Sequence, residues 1–360
     1  MADIFRLHGP AYLEKFGDRL PPQHRHVMQK IIACRTEELG GQIYFCEQCE
    51  DQCYSYHSCQ DRHCPKCGND KADEWLRMQN ALLLPVNYFM VTFTLPDTLN
   101  TVARRNQKFI YGRFFQTAAA ALQKLAADPK FVGGQLGFFG VLQTWTRDLA
   151  YPPHLHFIVA GGGLSEDGND WRPTHGKFLV PVKALSKIFR AKFRDALKKK
   201  PELFAQVPPE TWQKEWVVHC EPVGTGEHAL KYLAPYIFRV AISNKRLVKL
   251  ENGHVTFQYR DGETKRFKTT TVTAEEFIRR FLQHVLPKGF IKVRYYGFLS
   301  PRHRARLEKI KDRLGVKPVV TEATDASDAE AVAAHVMRCP KCGSEMRLVG
   351  DIAPKRTRAP

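Results

Sequence analysis

The stretch YPPHLHFIVAGGGL, Tyr151–Leu164, sets two histidines, His154 and His156, on either side of one leucine, just ahead of an apolar run and three glycines. In a β-strand successive side chains alternate between faces, so both rings emerge on the same side. Two imidazoles on one face can grip one metal ion. A His-x-His pair on its own is more often packing, so its meaning depends on the rest of the chain.

Working outward, YFMVTFTLP from Tyr88 reads as a buried strand and LGFFGVLQTW as a second. HLHFIVAGG reads as a third that ends in a glycine turn, and KEWVVHCEPV as a fourth. Helical texture separates them. KADEWLRMQNALLLP stops before Pro85, and DTLNTVARRNQKFIYGRFFQTAAAALQKLAAD is capped by Asp97. VKALSKIFRAKFRDALKKK is basic and amphipathic, and TGEHALKYLAPYIFRVAIS is interrupted near Pro235. LVKLENGHVTFQYRDG is a hairpin turning at Asn252-Gly253. TAEEFIRRFLQHVLP opens on a capping box, Thr273 to Glu276. This irregular alternation, with hairpins, predicts an α+β fold with a mostly antiparallel sheet rather than a doubly wound parallel one.

Among the 360 residues, Lys plus Arg exceed Asp plus Glu by 55 − 37 = 18. An excess of that size calls for a polyanionic partner, with nucleic acid ahead of an anionic membrane. No apolar run reaches the ~18–20 residues needed to span a bilayer. The N-terminus, MADIFRLHGP, lacks the pattern of a signal peptide, so a cytoplasmic location is expected. The ten cysteines then read as thiols or metal ligands rather than disulfides.

Six of them fall between Cys46 and Cys67. Cys46-x-x-Cys49 and Cys64-x-x-Cys67 are two knuckles that can wrap one tetrahedral Zn²⁺. Metal binding of this kind supplies roughly 10–16 kcal/mol of apparent folding energy, which so polar a segment cannot find in a core. Cys34, Cys59 and His63 are left as further zinc ligands, for a second site or an exchange with the first. Cys339 and Cys342 form half a site that needs two more ligands, from His335 or from a partner chain. Arg62 and Lys66 interleave with the knuckles and suit phosphate contact. The composition divides the chain into a zinc-binding domain at 1–84, a second domain at 85–318, and a linker with a basic tail at 319–360.

In KYLAPYIF, Tyr232 and Tyr236 stand four apart, one turn from each other on one helix face. Lys231 and Arg239 flank them. Taken alone, the pair describes a core helix with two aromatics. Beside a His-x-His pair in a strongly basic protein, the two phenols become candidate nucleophiles.

Together these motifs resemble one family. HLHFIVAGGGL followed by Trp171 resembles the His-hydrophobe-His motif of rolling-circle insertion-sequence transposases of the IS91 type. YLAPY followed by RVAIS resembles their two-tyrosine motif. IIACRTEELGG, with knuckles ending SCQDRHCPKCG, resembles their zinc-binding N-terminal domain, and RRFLQHVLPKGFIKVRYYGFLSPRHR their downstream region. The resemblance covers residues 20 to 305, in the family's order.

That resemblance implies a zinc-binding domain followed by an HUH-nuclease domain, with a central antiparallel sheet carrying the histidines and a helix carrying the tyrosines. It implies a transposase that nicks and rejoins single-stranded or hairpin transposon ends through a 5′-phosphotyrosine, with Tyr232 and Tyr236 as nucleophiles and no nucleotide cofactor. A divalent ion, Mg²⁺ or Mn²⁺, would sit on His154, His156 and Gln143. Gln143 holds the place where the family carries a histidine or glutamine, and Asp148 is the reserve. Arg62, Lys66, Lys231 and Arg239 would contact DNA. The rival is a non-catalytic zinc-dependent DNA-binding protein, which would keep the cysteines but have no need of the histidine and tyrosine pairs. GTGEHALK, Gly224–Lys231, lacks the spacing of a phosphate-binding loop.

Overall fold

The computed structural model describes residues 1–67, 69–238, 241–262, 264–316 and 336–355; at 69–72, 232, 235, 236 and 238 it describes the backbone alone. The chain opens with helices α1 (Ala2–Phe16) and α2 (Pro22–Ala33), a hairpin of β1 (Gly41–Cys46) and β2 (Asp51–Tyr56), and helix α3 (Asn69–Asn80). Strand β3 (Tyr88–Thr94) leads to α4 (Asn100–Arg105), the long α5 (Gln107–Ala126), β4 (Gln135–Gln143), β5 (His154–Leu164) and β6 (Trp171–Pro173). Next come α6 (Val182–Lys198), α7 (Pro201–Phe204), β7 (Val218–Gly224) and α8 (Glu227–Phe238). A meander of β8 (Leu247–Glu251), β9 (His254–Arg260) and β10 (Phe267–Thr273) runs into α9 (Ala274–Leu282). Strand β11 (Val293–Tyr296), α10 (Arg304–Arg313) and β12 (Arg347–Ile352) complete the described elements.

The central sheet has the order β11-β4-β5-β3-β7, with β6 beside β5, and every pairing is antiparallel. Alternation sorts its side chains into two cores. On one face Leu155, Phe157 and Val159 of β5 join Phe89, Val91 and Phe93 of β3 under Phe114, Phe115 and Phe189 of α5 and α6. On the other, Ile158 and Ala160 join Tyr88 and Val141 under Leu230, Leu233 and Ala234 of α8, with Trp75 of α3 and Leu307 of α10. Strand β5 is buried at every position after its first, and that is why it is nearly all apolar. A third core gathers α1, α2 and α9 against β9 through Phe5, Ile31, Phe257, Phe277 and Phe281.

Several local expectations hold in detail. Asn252 and Gly253 both take positive φ, 49° and 71°, the two-residue turn that matches strand twist. Thr273 accepts the Glu276 backbone N–H at 3.2 Å and caps α9.

Others need correction. The three glycines continue β5 instead of ending it in a turn. A Cβ on Gly161 would lie 2.4 Å from the Asn87 carbonyl, and one on Gly162 would lie 2.3 Å from the Trp171 ring. These positions need small residues because neighbours press against the strand. Helix α8 runs through Pro235 without a break, held by the apolar stripe of Leu230, Leu233 and Ala234. Asp97 opens a 3₁₀ turn, and the helical region divides into α4 and α5 at Asn106. The C-terminal segment is not a free tail: β12 pairs with β1 and extends the N-terminal hairpin to three strands. No helix among the described residues is long and apolar enough to cross a membrane.

Candidate active site and cysteine centres

His154 and His156 share a face of β5 with Ile158 and Ala160, the face covered by α8. Their ring centroids are 6.1 Å apart. Pairing with β3 sets Thr94 opposite His154 and Thr92 opposite His156. Each threonine Oγ1 lies 3.1 Å from the Nδ1 of its histidine. On the other flank Gln143 pairs with His154, and its Oε1 stands 3.0 Å from Nε2 of His156. The Gln143 amide nitrogen donates to the Trp145 carbonyl at 2.7 Å, which fixes which end of the amide faces the histidine. Burial pushes both imidazoles down to about 4, so they are neutral at physiological pH and keep a lone pair for a ligand.

The threonines were missed in the sequence, although a signal existed. Thr92-Phe93-Thr94 on β3 has the same polar-apolar-polar alternation as His154-Leu155-His156, and the two triplets are in register. His219 and Glu221 on β7 were also missed. His219 pairs with Thr92, so it lies on the histidine face, and it contacts Glu221 at 3.4 Å in an exposed position.

Tyr232 and Tyr236 fall on α8, with their side chains outside the described residues; Arg239 lies outside them altogether. Lys231 is exposed on the same helix. Asp148, the reserve ligand, accepts a hydrogen bond from the Thr146 hydroxyl. Arg62 is exposed and tied to backbone acceptors from a distant segment. It donates to the carbonyls of Phe290 at 2.7 Å and Pro287 at 3.2 Å, fastening its loop to the segment before β11. Lys66 is half-buried in that loop, and its carbonyl lies 3.5 Å from Arg35.

The cysteines group differently from the expected set. Cys46, Cys49, Cys64 and Cys67 do not come together. Cys64 and Cys67 converge with Cys34 and Cys59, while Cys46 and Cys49 converge with Cys339 and Cys342; in each group the sulfurs lie within 4.8 Å of one another. Neighbouring sulfurs stand 3.6 Å apart for Cys34–Cys67, 3.7 Å for Cys59–Cys67 and 3.6 Å for Cys46–Cys342. A tetrahedron with Zn–S bonds of ~2.3 Å has an edge of ~3.8 Å, so both groups are shaped for zinc and far too open for disulfides. The physical reason for the regrouping is that β1 and β2 form a hairpin, which separates the knuckle at its tip from the loop beyond its end.

Cys59 and Cys34 thus belong to the first group, and His63 to neither. Its Nδ1 lies 3.0 Å from Asp61 Oδ1, and its Nε2 accepts the Leu286 N–H at 3.1 Å. In each group one thiol is already acidic. Hydrogen bonding with Cys64 holds Cys59 at about 5, and hydrogen bonds from Ser344 hold Cys342 at about 6.

Comparison with known proteins finds two family models on this chain. Residues 137–306 match a transposase family model, and residues 4–95 match a transposase zinc-binding domain. The chain is 39% identical to a transposase of Sinorhizobium fredii, over 98% of this chain and 95% of the relative. It is 31% identical to the transposase for insertion sequence element IS801 of Pseudomonas savastanoi pv. phaseolicola, over 90% of this chain and 83% of the relative. No solved structure matches.

Proposed function

This chain belongs to the IS91-type transposases, and on that premise we propose that it cuts and rejoins one strand of DNA with a tyrosine as nucleophile. The substrate is the unpaired or hairpin end of a transposon, held in the cytoplasm against a chain with a net charge of +18. The observation that carries the reading is the shared face: the histidine pair and helix α8 occupy the same side of the central sheet.

The donor set, two imidazole nitrogens and one amide oxygen, suits Mn²⁺ and takes Mg²⁺ less readily. The residues that would hold it are His154, His156 and Gln143. With Nδ1 of His156 bonded to Thr92, its Nε2 and the Gln143 oxygen can present lone pairs to each other across 3.0 Å. Two acceptors so placed suit a cation between them, and in the other tautomer Nε2–H donates to the Gln143 oxygen. An octahedral ion with bonds of ~2.1 Å has ligands ~3.0 Å apart. Once bound, the ion would polarise the phosphodiester and offset its developing charge.

The rest is the work of the chain's own residues. Thr92 and Thr94 hold the two rings upright, and burial keeps them neutral. On α8 the stripe of Leu230, Leu233 and Ala234 packs against the sheet. A phenol oxygen from Tyr232 or Tyr236 attacks phosphorus. The bond to the 3′ oxygen breaks, that oxygen takes up a proton, and a 5′-phosphotyrosine remains. Attack by a 3′-hydroxyl reverses the sequence and rejoins the strand, so no nucleotide is consumed. The second tyrosine allows a second cut while the first still holds DNA. Lys231 and Arg239 would attract the backbone.

The test uses labelled single-stranded transposon-end DNA with Mn²⁺. A covalent adduct on the 5′ side of the cut is expected, lost when Tyr232→Phe and Tyr236→Phe are combined. His154→Ala should remove cleavage and leave DNA binding. Adducts that persist in the double tyrosine variant would refute the nucleophiles, and binding with no adduct would favour a non-catalytic DNA-binding protein.

A further inference from the structure

The second cysteine group is assembled from opposite ends of the chain. Cys46 and Cys49 sit at the tip of the β1–β2 hairpin, and Cys339 and Cys342 lie ahead of β12. The match to a transposase zinc-binding domain ends at residue 95, so it does not include the second pair.

Three observations show that the two pieces are built for each other. The first is backbone pairing: Gly41 to Phe45 of β1 pair with Ile352 to Arg347 of β12, with one irregularity after Ile43. The second is steric. Gly40 has φ +70°, and a Cβ there would lie 2.4 Å from the Ile352 carbonyl; one on Gly41 would lie 2.5 Å from the Ser55 carbonyl on the other flank. Each glycine of the Gly40-Gly41 pair is needed by a different neighbouring strand. The third is the size of the core. Among the described residues the apolar cluster here has three buried members, Cys46, Cys339 and Met346, with Tyr44, Cys49, Cys53 and Met337 packed against them. The ion pairs Lys341–Asp51, Arg347–Glu47 and Lys355–Glu37 lie largely at the surface and contribute little. Packing and surface charge here are slight, and a metal held by the four converging sulfurs would add most to the union.

We propose that Cys46, Cys49, Cys339 and Cys342 bind a second Zn²⁺, which clamps the C-terminal strand into the N-terminal hairpin and closes the chain on itself. The module is a zinc ribbon in two pieces, with the nuclease sheet inserted between its knuckles. It differs from the first group, whose four ligands all lie between Cys34 and Cys67. Its integrity depends on residues far outside the zinc-binding segment.

The test is independent of catalysis. Metal analysis of the full chain should find about two zinc ions, one per four-cysteine set. The Cys339→Ser/Cys342→Ser variant should lose half of that zinc and keep the fold and size of the wild type by circular dichroism and sizing. As a second measurement, a protease site is placed between residues 321 and 331 of the full chain and cut. The C-terminal fragment should stay bound to the zinc-loaded remainder and leave it in the double-serine variant. Full zinc content in that variant would overturn the proposal. So would release of the fragment from the loaded wild type, or a second zinc found only in dimers.

Discussion

Replacing Thr92 with valine keeps the β-branched shape that the strand prefers and deletes one hydroxyl. That hydroxyl stands 3.1 Å from Nδ1 of His156, a residue only 8% exposed. Loss of this hydrogen bond in a poorly hydrated place should cost about 1–3 kcal/mol of stability, measurable by urea unfolding. The larger effect is expected on the opposite ring nitrogen. Removing a group that orients a metal-binding histidine lowers metal affinity by about 10–100-fold. Adduct formation titrated with Mn²⁺ should therefore show its midpoint raised by about 10–100-fold, with the plateau at saturating Mn²⁺ retained. Thr94→Val should behave alike through His154, across its own 3.1 Å contact. An unchanged Mn²⁺ midpoint in a folded Thr92→Val protein would refute the idea that this strand aims the ring.

The buried histidines also set an acid limit. His156 is held at about 4 when folded and titrates near 6.5 when unfolded, so the unfolded chain binds more protons between those values and stability falls as pH drops from 6.5 towards 4. At pH 5 this ring alone should cost about 2 kcal/mol relative to pH 7, and His284, pushed by burial to about 3, acts in the same direction. Equal urea midpoints at pH 5 and pH 7 would contradict this. Arg62→Ala removes two charged hydrogen bonds to carbonyls and should destabilise the fold by about 1.5–3 kcal/mol. It should leave the salt dependence of DNA binding unchanged; a slope reduced by about one would instead make Arg62 a phosphate contact. Phe157→Ala opens a hole in the core beneath the histidine strand and should cost about 3–5 kcal/mol by chemical denaturation.

What could be read from the sequence was mostly local. The strand from Tyr88, the turn at Asn252-Gly253 and the cap at Thr273 each depend on neighbours in the chain, and each was legible. So was the pairing of His154 with His156, because strand alternation needs no partner. The cysteine grouping was not legible. Spacing favoured the two nearest knuckles, but the β1–β2 hairpin parts them, and their true partners include Cys34 and Cys339. Strand β10, FKTTTVT, escaped notice because it is polar and largely exposed. The N-terminal helices went unassigned beneath the cysteine signal, although α1 and α2 bury Phe5 and Ile31 against α9. The carbonyls that Arg62 meets were not legible either, because they come from more than two hundred residues away.

That arginine has a mechanical consequence. Arg62 and His63 fasten the first cysteine loop to residues 286–290, and a few residues later the chain enters the central sheet as β11. The loop cannot swing independently of the sheet. If it grips one feature of a transposon end, the distance from grip to scissile phosphate is set by the protein's frame. Recognition and cutting would then act as the two jaws of a caliper, and the number of nucleotides between them should be constant from one end to the next.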